Sequence, residues 1–111
     1  MSTRNYDDLI RNVKTYIAEE KDLDLIFKSF SYASKLHEGQ KRQSGEDYVS
    51  HPLTVAFILS EMKADANTIC AALLHDTIED TDVTKDKLEV LFNEDIAMLV
   101  DGVTKISKMN F

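Results

Sequence analysis

The sequence predicts an all-α protein of about six helices, folded as a single domain that spans residues 1–111. Glycine and proline, which interrupt helices, are scarce, with three Gly and one Pro in 111 residues. Apolar residues recur at helical spacing along nearly the whole chain. A chain of this length is long enough for one hydrophobic core and too short for two. Its composition, 43% hydrophobic and 30% charged, is that of a soluble globular protein.

Charge and composition exclude several classes of function. The net charge of −7 argues against nucleic-acid binding, which requires a basic surface. No apolar run approaches the roughly 18 residues of a membrane span, so we expect no membrane partner. Cys70 is the one cysteine, which excludes an internal disulfide and fits a reducing, cytoplasmic location. The negative net charge does not exclude a polyanionic small molecule as a ligand, because a bound divalent cation reverses the sign of the local electrostatic field.

Two amphipathic helices are predicted in the first third of the chain. The first begins after Asn5, a suitable N-cap, and the second begins near Asp22. The apolar stripe of the first comprises Tyr6, Leu9, Ile10, Val13, Tyr16 and Ile17. That of the second comprises Leu23, Ile26, Phe27, Phe30 and Ala33, all expected to be buried.

The helical pattern breaks over residues 38–50, where two of the three glycines bracket Lys41, Arg42 and Ser44. Glycine lets the backbone approach a ligand, while cations and a hydroxyl group bind phosphate. This small basic segment in an acidic chain suggests a site for an anionic ligand. An exposed turn with two solvated cations fits the same residues.

Four helices are predicted in the remainder of the chain. Pro52 favours a first helical turn and fixes His51 at the helix start. The helix that follows, through Met62, is apolar nearly all round and is therefore expected to be central. A short polar link, residues 63–65, leads to the next helix. Beyond it, Thr84 is a good N-cap, Asn93 separates the last two helices, and Gly102 interrupts the apolar pattern of the last.

The apolar helix after residue 65 ends in a cluster of polar residues. These are His75, Asp76, Glu79 and Asp80. In a continuous helix His75 and Glu79 share one face, and Asp76 continues the core-facing stripe. A carboxylate that points into a core beside an imidazole is typical of a metal site. The alternative is a helix end capped in solvent, with His75 a hydrogen-bonded core histidine. Because His51 borders a helix expected to pack against this one, the metal site is favoured.

Four segments, in this order and spacing, resemble the HD-type hydrolase domain of the RelA/SpoT alarmone enzymes, which remove pyrophosphate from the 3′ position of (p)ppGpp. They are residues 37–45, 48–52, 71–81 and 99–105, within a resemblance that covers Ala33 to Lys108. The resemblance implies an HD-domain-like helical bundle and a Mn²⁺ cofactor. It also implies hydrolysis of guanosine tetra- or pentaphosphate to GDP or GTP and pyrophosphate in the stringent response.

The resemblance also implies roles for individual residues. His51, His75 and Asp76 match three ligands of the family's Mn²⁺, and Glu79 and Asp80 match its catalytic acidic pair. Arg42 and Ser44 match the loop that contacts the guanosine nucleotide, with Lys41 beside them as a further candidate.

The sequence departs from the family in two places. The family's fourth metal ligand is an aspartate in a later Leu-Ala-Asp-Arg-Leu-His-Asn-like segment, which these 111 residues lack, and Gln43 stands where many relatives place a second cation. We therefore expect an incomplete HD domain, its C-terminal helices absent, with a homodimer as one way to cover exposed apolar surface. Two alternatives are a non-catalytic metal- or nucleotide-binding regulatory module and an HD phosphohydrolase for another nucleotide.

Overall fold

The computed structural model describes residues 6–36, 50–75 and 83–108, and within these ranges it contains helices and no strand. Six helices are described: α1 (Tyr6–Val13), α2 (Glu20–Leu36), α3 (Ser50–Glu61), α4 (Ala66–Leu74), α5 (Lys85–Leu91) and α6 (Glu94–Lys108). The predicted all-α class is therefore confirmed. No helix in the described ranges is both long enough and apolar enough to cross a membrane.

A single hydrophobic core joins all six helices. Helix α4 lies at its centre and packs against α2, α3 and α6, while α1 packs on α3 and α5 on α6. The fully buried apolar side chains of this core include Leu9, Val13, Ile26, Ile69, Leu74, Leu88, Ile96 and Val100. Burial of each such side chain contributes about 1.5–3 kcal/mol, which makes this cluster the main source of stability.

Helix α1 is shorter than its apolar stripe predicts. It ends at Val13, and the next residues form a turn in which Tyr16 N–H bonds the Val13 carbonyl at 3.1 Å. The Tyr16 side chain contacts the link before α4, where its hydroxyl donates a hydrogen bond to the carbonyl oxygen of Ala64 at 2.7 Å. That bond ties the turn after α1 to the start of α4. The predicted N-cap, Asn5, lies outside the described residues.

Helix α2 contacts the core through most of the predicted stripe, since Leu23 and Phe30 are partly buried against the core beside the fully buried positions, and Phe27 is the exception. The fully buried positions are Ile26, Ser29 and Ala33, at spacing i, i+3 and i+7. Phe27 was expected to be buried, but it is 56% exposed, because it lies at the edge of the contact with the core. Its ring packs edge-on against Tyr6, with the ring centroids 5.7 Å apart.

The predicted central position of α3 is wrong, and α4 takes that place. Ile58 and Met62 are 52% and 72% exposed. Among the described helices, α3 packs mainly against α1 and α4, and these two side chains lie away from both contacts. An apolar pattern on all sides therefore did not lead to burial on all sides.

The link between α3 and α4 is a compact C-cap followed directly by an N-cap. Lys63 adopts a left-handed conformation (φ 59°), and Ala64 N–H reaches back to the Leu59 carbonyl at 3.1 Å. This is the Schellman arrangement, which usually places glycine at the left-handed position. The Asp65 carboxylate then accepts a hydrogen bond from Thr68 N–H at 2.9 Å and caps α4. The link reverses the chain within four residues.

The last two helices begin where the sequence predicts. The Thr84 hydroxyl accepts from Lys87 N–H at 3.2 Å and caps α5. The Asn93 side chain accepts from Ile96 N–H at 2.7 Å at the start of α6. Helix α6 continues through Gly102 to Lys108, so the glycine interrupts the apolar pattern without ending the helix.

Candidate metal centre

The described ranges include two of the eight predicted site residues. The backbone of His51 lies in the first turn of α3, and both the backbone and the side chain of His75 are described at the end of α4. The other six predicted residues lie outside the described residues: Lys41, Arg42, Ser44, Asp76, Glu79 and Asp80. Their roles remain predictions.

The α3–α4 pair places His51 and His75 at the same end of the bundle. The short link joins Glu61 to Ala66, so the two helices run in opposite directions. At about 1.5 Å per residue, His51 lies roughly 15 Å from the link along α3, and His75 roughly 14 Å along α4. One pocket is lined by side chains from both helices, and these agree with an antiparallel pair. Leu59 of α3 and Thr68 of α4 are the lining residues near the link, whereas Val55 of α3 and His75 after α4 are farther from it. The prediction that these two helices pack together is confirmed.

His75 forms one well-defined hydrogen bond at the end of α4. Its Nδ1 lies 2.6 Å from the carbonyl oxygen of Ala72, a residue in the last turn of the helix. The last carbonyls of a helix lack the usual i+4 partner, and the Ala72 carbonyl also accepts a long hydrogen bond of 3.5 Å from the His75 backbone N–H. Because a carbonyl only accepts, Nδ1 carries the hydrogen, and the neutral imidazole then has its lone pair on Nε2.

This tautomer fits a metal ligand. Metal-binding histidines generally donate their second ring N–H to a carbonyl or carboxylate, which fixes the ring orientation. Nε2 is then the nitrogen that coordinates, and a divalent ion such as Mn²⁺ accepts imidazole together with carboxylate donors. The same hydrogen bond also fits the alternative prediction of a hydrogen-bonded core histidine. Within residues 6–36, 50–75 and 83–108, no three His, Cys, Asp or Glu side chains form a group that could hold a metal ion. The other donors predicted for a metal centre, the His51 side chain and Asp76, lie outside the described residues.

An apolar pocket of about 210 Å³ adjoins His75. Helix α4 contributes its base, while α3 and α6 contribute its sides. The lining residues are Val55, Leu59, Thr68, Ala71, Ala72, His75 and Leu99. The sequence interpretation missed this pocket. The apolar pattern of α3 pointed to it, but that pattern was interpreted as complete burial.

Cys70 is not a reactive group. Its side chain is fully buried in the core. Burial disfavours the thiolate and raises the pKa of Cys70 to about 12, although a hydrogen bond with Ser29 acts in the opposite direction. A thiol with such a pKa is protonated at neutral pH, so nucleophilic chemistry at this residue is excluded.

A family model, described as HD domain, matches residues 29–111, which is more than half of the chain. The chain belongs to the HD-domain family. The match includes α3, α4 and the segment between α4 and α5. It therefore covers every residue predicted for the metal centre. The expectation of an HD-domain-like bundle is thus confirmed.

Curated relatives of this HD-domain chain are much longer proteins. It is 54% identical over 91 residues to a GTP pyrophosphokinase of Myxococcus xanthus, covering 82% of this chain and 12% of the relative. It is 46% identical over 104 residues to a guanosine-3′,5′-bis(diphosphate) 3′-pyrophosphohydrolase of Vibrio cholerae, covering 94% of this chain and 15% of the relative. It is 44% identical over 106 residues to a bifunctional (p)ppGpp synthase/hydrolase SpoT of Escherichia coli, covering 96% of this chain and 15% of the relative.

These matches confirm the resemblance to RelA/SpoT enzymes over most of the chain. The HD-domain chain spans 12–15% of the length of these curated relatives.

Proposed function

We propose that residues 1–111 form one HD-type unit of a Mn²⁺-dependent 3′-pyrophosphohydrolase that acts on guanosine tetra- or pentaphosphate. The observation that carries the proposal is the 2.6 Å contact between His75 Nδ1 and the Ala72 carbonyl, which assigns the ligand role to Nε2. His75 lies at the same end of the α3–α4 pair as His51. Relatives that are 44–46% identical bear the name of this hydrolase or of a bifunctional synthase/hydrolase.

In this proposal His51, His75 and Asp76 hold the cation. Two imidazole nitrogens and one carboxylate oxygen are a donor set that Mn²⁺ accepts. The hydrogen bond from His75 to Ala72 fixes one of these donors before the cation binds, which lowers the cost of ordering the site. When bound, the cation supplies a Lewis acid that polarises a phosphoryl oxygen and lowers the pKa of water.

The proton transfers are assigned to Glu79 and Asp80. One carboxylate accepts a proton from the attacking water as its oxygen bonds to phosphorus. The bond between that phosphorus and the 3′ oxygen breaks, the 3′ oxygen takes a proton, and pyrophosphate and GDP or GTP are the products.

Binding of the substrate is assigned to the segment before α3. The chain has a net charge of −7, which repels a polyphosphate unless local cations offset it. Lys41 and Arg42 supply two positive charges close together in sequence, and Ser44 adds a hydroxyl donor. We therefore assign the phosphate and guanosine contacts to these three residues.

The test is release of pyrophosphate from ppGpp in the presence of Mn²⁺, with wild type and Asp76→Asn side by side. We expect the substitution to reduce the rate by about 100-fold or more, because loss of a ligand costs at least as much as loss of the groups that orient one. Calorimetric titration with Mn²⁺ gives a second readout, and the same variant should bind the cation more weakly.

A matched control makes the same chemical change on another helix. Asp86→Asn alters an exposed carboxylate in the first turn of α5 and should leave both the rate and Mn²⁺ affinity unchanged. Equal rates for wild type and Asp76→Asn would contradict the proposed ligand set. Binding of Mn²⁺ and ppGpp without any release of pyrophosphate would instead support the regulatory-module alternative.

A further inference from the structure

Helix α1 is attached to α3 by a hydrogen bond between two polar side chains. The Asn12 side-chain amide donates to the Ser60 hydroxyl at 2.7 Å, and that hydroxyl donates to the Phe57 carbonyl oxygen at 2.6 Å. Ser60 is only 2% exposed, so its bonds are protected from exchange with water. Such a bond fixes position more narrowly than apolar contacts do, because it weakens steeply with distance and angle, whereas apolar burial is non-directional.

The turn after α1 adds a second attachment one helical turn away. The Tyr16 hydroxyl donates to the Ala64 carbonyl oxygen at 2.7 Å. Asn12 and Tyr16 are four residues apart, and so are their partners Ser60 and Ala64. The Thr15 hydroxyl closes the turn by donating to the Asn12 carbonyl oxygen at 2.6 Å. Two attachments at successive turns resist rotation of α3 as well as sliding.

His51 lies at the other end of α3 from these attachments. Ser60 follows it by nine residues, which is about 13 Å along the helix axis. A tilt of about 5° at Ser60 would therefore displace the His51 backbone by about 1 Å. Among the described helices, α3 packs mainly against α1 and α4, so α1 is the neighbour that sets the tilt of α3 against α4.

A metal centre is sensitive to a displacement of this size. Metal–ligand distances lie within about 0.2 Å of their preferred values. The ring of His75 is held at the end of α4 by its hydrogen bond to the Ala72 carbonyl. The position of the other proposed histidine ligand, His51, depends on how α3 lies against α4.

We propose that Asn12 is a positioning residue, whose hydrogen bond to Ser60 sets the tilt of α3 and so keeps His51 within reach of the cation that His75 binds. This inference rests on the proposed function, because it assigns both histidines to one Mn²⁺. Helix α1 lies outside residues 29–111, which the HD-domain model matches, so the contact joins the matched part of the chain to a helix before it.

The test is calorimetric titration with Mn²⁺ of Asn12→Ala, Ser60→Ala and the double variant. We expect Asn12→Ala to weaken Mn²⁺ binding by about fivefold, as residues remote from a ligand do when they act through a displaced element. Ser60→Ala should weaken it by a similar factor. The double variant should bind no more weakly than either single variant, because all three lack the same hydrogen bond. Circular dichroism checks that each variant folds.

The matched control removes another asparagine that bonds a neighbouring helix. Asn93→Ala breaks the 3.1 Å hydrogen bond to Asn67 in α4 and the cap of α6, and it leaves the contact between α1 and α3 intact. Its midpoint of urea denaturation should fall while its Mn²⁺ affinity stays that of the wild type. Wild-type affinity in Asn12→Ala would overturn the proposal, as would equal weakening by Asn93→Ala.

Hydrogen exchange without metal separates this inference from the proposed function. In Asn12→Ala, the amides of residues 54–58 in α3 should exchange faster by a larger factor than the amides of α4, because the loss of the bond loosens α3 locally. Equal acceleration in α3 and α4 would overturn the positioning role of Asn12, whatever the Mn²⁺ titrations give. A wild type that binds no Mn²⁺ would instead refute the proposed function, and selective acceleration in α3 would still support the role of Asn12 in placing α3.

Discussion

Helices α3 and α4 have similarly apolar sequences and very different surroundings. In α4, seven of nine residues are buried, because α2, α3 and α6 surround it. In α3, one face packs on α1 and α4, while Ile58 and Met62 on another face are exposed. The comparison shows that an apolar pattern reports how much of a helix suits burial. It does not show which neighbouring element, in the same chain or in another, covers the apolar face.

The largest difference between the two helices should appear when the same residue type is truncated in each. Ile69 of α4 is fully buried, whereas Ile58 of α3 is 52% exposed. We expect Ile69→Ala to lower the free energy of unfolding by about 3 kcal/mol, because it removes buried methyl groups and leaves a cavity. Ile58→Ala should cost less than about 1 kcal/mol. Urea denaturation of the two variants measures both values.

Equal losses of stability in these two variants would mean that α3 is covered in solution, by a second copy or by another part of the chain. Repeating the denaturation at several protein concentrations distinguishes these cases. Stability that rises with concentration would indicate self-association.

A smaller effect is expected at the N-cap that begins α4. Hydrogen bonds from the side chain and the backbone N–H of Thr68 hold the pKa of Asp65 below its usual range. Because the folded pKa is the lower one, the stabilisation is complete above the ordinary Asp pKa of about 3.9 and is lost as the pH falls through the folded value. Asp65→Ala should cost about 1 kcal/mol near neutral pH.

The pH dependence separates capping from a general loss of packing. The difference in stability between wild type and Asp65→Ala, measured by urea denaturation, should shrink steadily below about pH 4. A difference that stays constant down to the acid limit would rule out the carboxylate as its source. Asp86→Asn, at an exposed carboxylate in α5, serves as the reference for the change in net charge.

The smallest effect is expected at the left-handed residue that ends α3. Lys63 carries a Cβ at φ 59°, a conformation that glycine adopts without steric cost. Lys63→Gly should therefore raise the free energy of unfolding by about 0.5 kcal/mol, after the entropy that glycine adds to the unfolded chain is subtracted. Thermal unfolding should show a midpoint a few degrees higher. Lys63→Ala keeps the Cβ and should give no gain, so equal stabilisation by both variants would exclude this explanation.

Local chemistry in the sequence predicted most helix boundaries. Thr84 caps α5 as expected, and Asn93, expected to separate the last two helices, also caps α6. Short polar side chains before an apolar run bond the first free N–H groups of a helix. Gly102 interrupts the apolar pattern but not helix α6, since one glycine costs a helix only about 1 kcal/mol, which packing against α4 and α5 exceeds. Phe27 was assigned to the wrong face, because periodicity alone does not locate the centre of a contact.

The candidate site was predicted less completely than the fold. The sequence identified His51 and His75 and the packing of their helices, and the structure places both backbones at one end of the bundle. The bond from His75 to the Ala72 carbonyl could not be predicted, because it depends on the rotamer adopted at the helix end. The ligand roles of Asp76 and His51 stay predictions that the Mn²⁺ experiments test.

By itself, the sequence determined the all-α class, the cap of α5 and the family resemblance, and it supplied the residue types of the proposed metal centre. These properties depend on local hydrogen bonding, on apolar periodicity and on short motifs, all of which involve residues close together in the sequence. Only the tertiary structure decided that α4 is central and that, among the described residues, Ile58 of α3 and Met62 after it are exposed. Burial is a property of the assembled helices, because each face is covered or exposed according to which neighbours reach it.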